Sequence, residues 1–322
     1  MASLQNNIDT IQDTLDDIRT AIINKGGTVT GTDITTYASG IDNIPIPNVI
    51  NREVVNGVYQ APTTSFTFSL PSNATDLGNY VMQYAFQGCT GLTSVDLSNL
   101  TTVSGSNAMT SAFYGCTGLT GTLDLSSLTT ISGYQAMIYA FQGCTGLTSV
   151  DLSNLTTVSG NSAMNQAFRN CRSLTSVDLS NLTTASGNNA MTSAFQYCTG
   201  VTSVDLSSLT TVSGGYAMIY AFQGCTGLTS VDLSNLTTVS GNSAMNQAFS
   251  GCTKLTTLSF PSLISTGFGS YKDQFGSMLS GVTGCTVHFP SNLQSVIGSW
   301  SSVTSGFGGT NTTVLFDLPA TT

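Results

Sequence analysis

The stretch 137–163, MIYAFQGCTGLTSVDLSNLTTVSGNSA, is one unit of a repeat, and its reading decides the architecture of the chain. Its Cys144 belongs to a series: Cys89, Cys116, Cys144, Cys171, Cys198, Cys225 and Cys252 lie 27, 28, 27, 27, 27 and 27 residues apart, and Cys285 follows after 33. Eight of the nine methionines keep the same phase, each seven residues before its cysteine, from Met82 to Met278. Such a period means a solenoid, in which each unit buries its apolar face only against its neighbours.

Within the unit, LTSVDL fits the pattern L-x-x-L-x-L: Leu147, Val150 and Leu152 point inward, Thr148, Ser149 and Asp151 outward. SNLTTVSG then turns the chain and sends Leu155 and Val158 inward. In 164–171, Met164, Ala167, Phe168 and Cys171 recur at i, i+3, i+4 and i+7, which predicts a short helix closing the coil. Gly143 and the Cys-Thr-Gly of 144–146 supply stop and turn signals before the next strand. The form AFxGCTxLTSVDLS resembles the BspA-like subclass of leucine-rich repeats, over roughly residues 64–290. The resemblance implies a leucine-rich-repeat solenoid of parallel β-strands with short helices, of the kind found in bacterial surface proteins, and implies a binding surface rather than one particular ligand. Where that subclass often has proline after the strand, this chain mostly has Ser-Asn or Ser-Ser, with Pro71 and Pro261 near the two ends.

Composition follows from stacking. Charged residues make up 7% of the chain, because a charge at a repeated position faces its own copy ~5 Å away, one strand over. A net charge of -9 argues against nucleic acid or an anionic membrane as partner, and no apolar run is long enough for membrane insertion. The start, MASLQNNIDT, has neither a basic nor an apolar leader region, so no secretory signal is expected. Four of the six Asn-x-Thr sequons fall in repeated NLT and read as repeat chemistry. One cysteine per unit, beside Phe and Leu, reads as a free, buried, structural thiol. Zinc lacks ligands, with no C-x-x-C and a single histidine, His288. No cofactor is expected.

The most informative polar feature is an outward ladder, Asp96, Asp124, Asp151, Asp178, Asp205 and Asp232, ended by Ser259. It is the candidate ligand-facing row. Calcium wants six to eight oxygens, so no metal site is assigned to it. Carboxylates ~5 Å apart also occur in retaining glycosidases, but nothing in the pattern desolvates one member to make it an acid, and no catalytic residue is assigned. Residues 136–168 and 217–249 are identical over 33 positions, the mark of a duplicated three-unit block; an outward surface that repeats itself suits weak, multivalent contact with a repetitive ligand such as a glycan.

The N-terminus differs in kind. Leu4, Ile8, Ile11, Leu15, Ile18 and Ile22 alternate spacings of four and three, an a/d seam closed by Gly26-Gly27. Its isoleucines favour three or more strands; the competing reading is a hairpin with a second helix at 33–44, carrying Ile34, Tyr37, Ile41 and Ile44. The segment is similar to N-terminal attachment regions of tail and fibre proteins of gut-bacterial phages. The expected organisation is a coiled-coil oligomerisation helix at 1–27, a short helix, linker and β cap at 28–63, repeats at 64–263, and a degenerate repeat with a β-rich C-terminal cap at 264–322. Trp300 and the glycines of GFGG fit cap packing or a tip site.

These readings support a non-enzymatic virion component: a homotrimer docked to other virion proteins by its N-terminus, presenting the array to a host surface or glycan. The alternatives are a BspA-like bacterial cell-surface adhesin and, third, a capsule depolymerase, for which no nucleophile–base arrangement is in view. If the seam is the assembly element, replacing Ile11 and Ile18 by Asp yields monomers with folded repeats in sedimentation; a variant that still sediments as a trimer favours the hairpin.

Overall fold

The computed structural model describes residues 53–55, 58–60, 65–70, 72, 74–264, 274–297 and 307–321. The seam from Leu4 to Ile22, the helix expected at 33–44, the linker and Trp300 lie outside these residues. Between residues 74 and 264 the chain winds in coils, each with three segments that stack on the same segments of the next coil.

The first segment is the longer strand, such as Leu147–Asp151. Its copies pair in parallel, so Ser149, Ser176, Ser203 and Ser230 stand in register, and so do Asp151, Asp178, Asp205 and Asp232. The alternation of LTSVDL is what places them: Leu147 and Val150 are buried while Thr148 is exposed. The second segment is a two-residue strand, such as Thr157–Val158, whose threonines from Thr102 to Thr238 pair in parallel through six coils.

The single 28-residue spacing, between Cys116 and Cys144, also has a structural place. Its extra residue falls between the buried Leu119 and Leu123, where Gly121 adopts φ 76° and the register with the next strand shifts between Gly121 and Thr122. A bulge absorbs one surplus residue on one strand without turning the inward set outward. Leu123 therefore still pairs with Val150 inside, and Asp124 with Asp151 outside.

The third segment is a correction. The expected short helices are absent from the described repeats, and consecutive tight turns stand in their place. The amide of Met164 donates to Ala190 O, Gln166 to Thr192 O, Phe168 to Ala194 O and Asn170 to Gln196 O, all in the next coil. The intervening amides of Asn165, Ala167, Arg169 and Cys171 donate three residues back, to Ser162, Met164, Gln166 and Phe168. No amide is left for the four-back bond of an α-helix. Every fourth residue takes positive φ to aim its amide across: Ser162 at 56°, Gln166 at 55° and Asn170 at 62°. Buried Met164, Ala167, Phe168 and Cys171 satisfy a period of four as well as one of 3.6 over so short a run, which is why the sequence reads as helix.

Inside, each coil delivers one phenylalanine to a continuous stack. Phe86, Phe113, Phe141, Phe168, Phe195, Phe222 and Phe249 lie with ring centroids 4.9 to 5.8 Å apart and planes within 10° of parallel. All seven are buried, as are Leu92, Leu97 and their equivalents, while Val95 is partly buried. At the C-terminal end, Phe260, Phe275, Phe289 and Phe307 form a cluster of stacked and edge-on rings with centroids 5.1 to 6.4 Å apart. Phe307, from the GFGG stretch, is buried in this cluster. Two further parallel rungs, Thr286–Pro290 and Thr313–Leu318, continue the first face past Thr257–Ser259.

Glycine sets the coil spacing at one corner. A Cβ on Gly187 would lie 2.3 Å from Gly160 O, and one on Gly160 would lie 2.2 Å from Gly133 O. The obstacle is backbone, which cannot rotate away. Gly187→Ala is expected to destabilise by roughly 1–3 kcal/mol, the usual cost of overpacking. Thermal unfolding checks this against Thr148→Ala on the exposed strand face, for which about 0.5 kcal/mol or less is expected.

Candidate binding surface

Two exposed faces carry repeated side chains. On the first, each aspartate caps its own turn: the Asp151 carboxylate accepts from the Ser153 amide at 3.0 Å, and Asp178 accepts from both the amide and hydroxyl of Ser180 at 3.0 and 2.7 Å. Asp96, Asp124, Asp205 and Asp232 repeat the amide contact. In all six the bonds fall on Oδ1. The Ser98 hydroxyl, then the Ser98 amide, hold the Asp96 carboxyl below its ordinary range. Like charges one strand apart repel by about 1 kcal/mol or less in water, which such bonds offset.

The structure thus brings Asp124, Asp151, Asp178, Asp205 and Asp232 into one register, with Asp96 on the strand Leu92–Asp96 beside Ser69. A shallow groove runs along Asp151, Asp178 and Asp205, lined also by Ser149, Ser176, Val150 and Val177. Among the described residues no group of three or more His, Cys, Asp or Glu is placed to hold a metal ion. No helix there is long and apolar enough to cross a membrane.

Behind the aspartates, the NLT asparagines bridge coils. The Asn154 side-chain amide donates to Ser126 O at 2.7 Å, and those of Asn181 and Asn235 to Ser153 O and Ser207 O at 2.6 Å. The sequon is therefore explained by stacking. Thr156, Thr183, Thr210 and Thr237 do the same with hydroxyls donated to the carbonyl one coil back, at 2.9 to 3.2 Å.

The third face is different. Its side chains are tyrosines, amides and small hydroxyls, and six tyrosines (Tyr80, Tyr84, Tyr139, Tyr197, Tyr216 and Tyr220) take positive φ between 57° and 62°. A bulky residue there costs about 1–2 kcal/mol over glycine or asparagine, which stand at equivalent positions at Gly88, Gly115, Asn107 and Asn189. Tyr197 carries a second constraint: the Arg169 guanidinium sits 5.7 Å above its ring, and a Cβ on Gly224 would lie 2.4 Å from the ring edge. Sequence reasoning missed this face. The signal was present in the four-residue spacing of Tyr80 from Tyr84 and Tyr216 from Tyr220, but a helical reading gives those positions no special conformation.

Also missed was the pair at the cap. His288 occupies the rung after Ser259, and its Nδ1 lies 2.9 Å from Asp317 Oδ1.

A stack of short parallel strands joined by turns, with one leucine-rich motif per coil, is a leucine-rich-repeat solenoid. The chain belongs to the BspA type leucine rich repeat family, whose model matches residues 56–192, 109–241, 138–272 and 191–296. Similar solved structures include a leucine-rich repeat protein from Bacteroides ovatus, with 19% identity, covering 77% of this chain and 60% of that one, at a TM-score of 0.43. A leucine-rich repeat protein of T. pallidum has 22% identity, covering 59% of this chain and 78% of that one, at 0.37. A leucine rich cell surface protein from Faecalibacterium prausnitzii has 16% identity, covering 78% and 88%, at 0.23. No curated protein matches the chain.

All eight cysteines are buried, and those from Cys116 to Cys285 are free. From Cys116 to Cys252, each thiol donates to the carbonyl of a phenylalanine in the preceding coil, as Cys171 to Phe141 O at 3.1 Å. Burial pushes Cys116, Cys171 and Cys225 up to about 12. An unfolded thiol near the ordinary 9.0 loses its proton first, so these groups cost no stability below about pH 9 and withdraw it progressively as pH rises toward 12. Folded protein at pH 8 is expected to resist alkylation, and unreduced, unfolded protein to label at every cysteine; protected pairs in mass spectrometry would contradict free thiols.

Proposed function

We propose that the chain is a non-catalytic adhesion array whose first face contacts a repetitive surface ligand, a host-surface glycan, by weak contacts repeated coil after coil. The observation that carries this reading is the register of the Ser and Asp rows, which offers one donor–acceptor pattern at every rung. With Oδ1 held by the following serine, Oδ2 of each carboxylate is the acceptor turned to sugar hydroxyls. Each contact is weak in water, and several in parallel add through effective concentration. Family membership favours the BspA-like adhesin setting on a bacterial surface. The sequence of the N-terminal seam, Leu4 to Ile22, favours the second setting: a homotrimeric virion component, fibre or decoration, anchored through that segment.

Replacing Asp151, Asp178 and Asp205 together by Asn tests the contact face. Binding to whole cells or their purified surface polysaccharide is expected to fall at least about tenfold as several contacts are lost at once. Melting temperature is expected to hold or rise slightly, because like charges are removed. Unchanged binding would refute the face. Immunodetection on intact cells against detection in purified virions separates the two settings.

A further inference from the structure

The third face has no role in that reading, which concerns the strand side of the coil. Six tyrosines on it hold a backbone conformation that bulky side chains avoid, while other coils place Gly, Asn, Ser or Gln at the same positions. Packing does not account for four of them: Tyr80, Tyr84, Tyr197 and Tyr216 are exposed, at 55%, 46%, 39% and 41%, while Tyr139 and Tyr220 are half-buried. Strained, outward residues persist where the display itself is used. Their rings are held as well. The Asn242 amide reaches the Tyr216 hydroxyl and the Gln247 amide the Tyr220 hydroxyl, each at 3.3 Å, from the next coil.

The chemistry around them selects a ligand class. No carboxylate occurs in the turn segments that bear these tyrosines, in contrast to the aspartate row of the first face. The neighbours are amides and hydroxyls, among them Gln87, Gln223 and Asn246, apart from one cation, Arg169, against Tyr197. An aromatic ring beside uncharged donors and acceptors matches a sugar, whose ring has an apolar C–H face and an equatorial rim of hydroxyls. In one column Tyr84, Tyr139 and Tyr220 stand two and three coils apart along a line, a spacing that an extended polysaccharide can span.

We propose that the third face is a carbohydrate-binding platform, in which the left-handed tyrosines stack on sugar rings of a neutral, extended polysaccharide and the flanking amides hydrogen-bond its hydroxyls. The site is independent of the aspartate row, so either can fail without the other.

The test replaces Tyr84, Tyr139 and Tyr220 together by Asn, which tolerates positive φ. Binding to soluble β-glucan, xyloglucan and galactomannan is measured by calorimetry, with a polyuronate as acidic comparator. The full-length chain is expected to bind at least one neutral polymer, and the triple variant to bind it at least about tenfold more weakly, the scale of losing tyrosine anchors, with melting temperature unchanged or raised. A second variant, with Phe at the same three positions, is expected to retain most of the affinity. Wild-type binding to none of the neutral polymers, preference for the polyuronate, or equal binding by the Asn variant would each overturn the proposal. So would a fall in melting temperature that accompanies the loss, or self-association of the wild type that the Asn variant abolishes, since those outcomes assign the tyrosines to packing or to a second copy of the chain.

Discussion

The amides of the third segment decide how this chain is built. Every second one, as at Met164, Gln166 and Phe168, is donated to the carbonyl of the next coil, and the ones between close turns within their own coil. A helix would satisfy its amides internally and could be tilted or slid against its neighbour. A segment whose amides alternate in this way is tied to its neighbour at fixed register. That register then fixes the strand rungs, the phenylalanine stack and the thiol-to-carbonyl bonds, because all three segments share one rise per coil.

Composition becomes intelligible from the same constraint. A side chain at any position meets its own copy at strand spacing, so the repeated choices are those that tolerate a like neighbour: rings that stack in parallel, hydroxyls and amides that donate one coil back, glycines where backbones touch. Asp is the exception, tolerated at the surface where the following serine caps it. The same rule makes the exposed faces repetitive, and repetition is the property that an adhesion array needs.

Much of this was legible in the sequence. The cysteine period announces the solenoid, and the alternation in LTSVDL places Leu147 and Val150 inside and the aspartates outside. The third segment was not legible, because apolar residues at 164, 167, 168 and 171 fit a helix as well as a run of turns with period four. Only the identities at the left-handed positions, Ser162, Gln166 and Asn170, carry a hint, and Gln is a good helix former that points the wrong way. Nor could the sequence show that His288 meets Asp317. They lie 29 residues apart where the repeat has departed from its period, and a parallel rung with a register shift brings them together. The tyrosine face was hidden for the first of these reasons: its residues become unusual only once their backbone is known.

The most direct measurement is scalar coupling across hydrogen bonds by NMR, read at the amide of Phe168. The account predicts coupling from the Phe168 amide to the Ala194 carbonyl, in the next coil, together with amide–Hα couplings at Gln166 and Tyr220 that report positive φ. Coupling from Phe168 to the carbonyl of Met164, four residues back, would mean a helix and would contradict it.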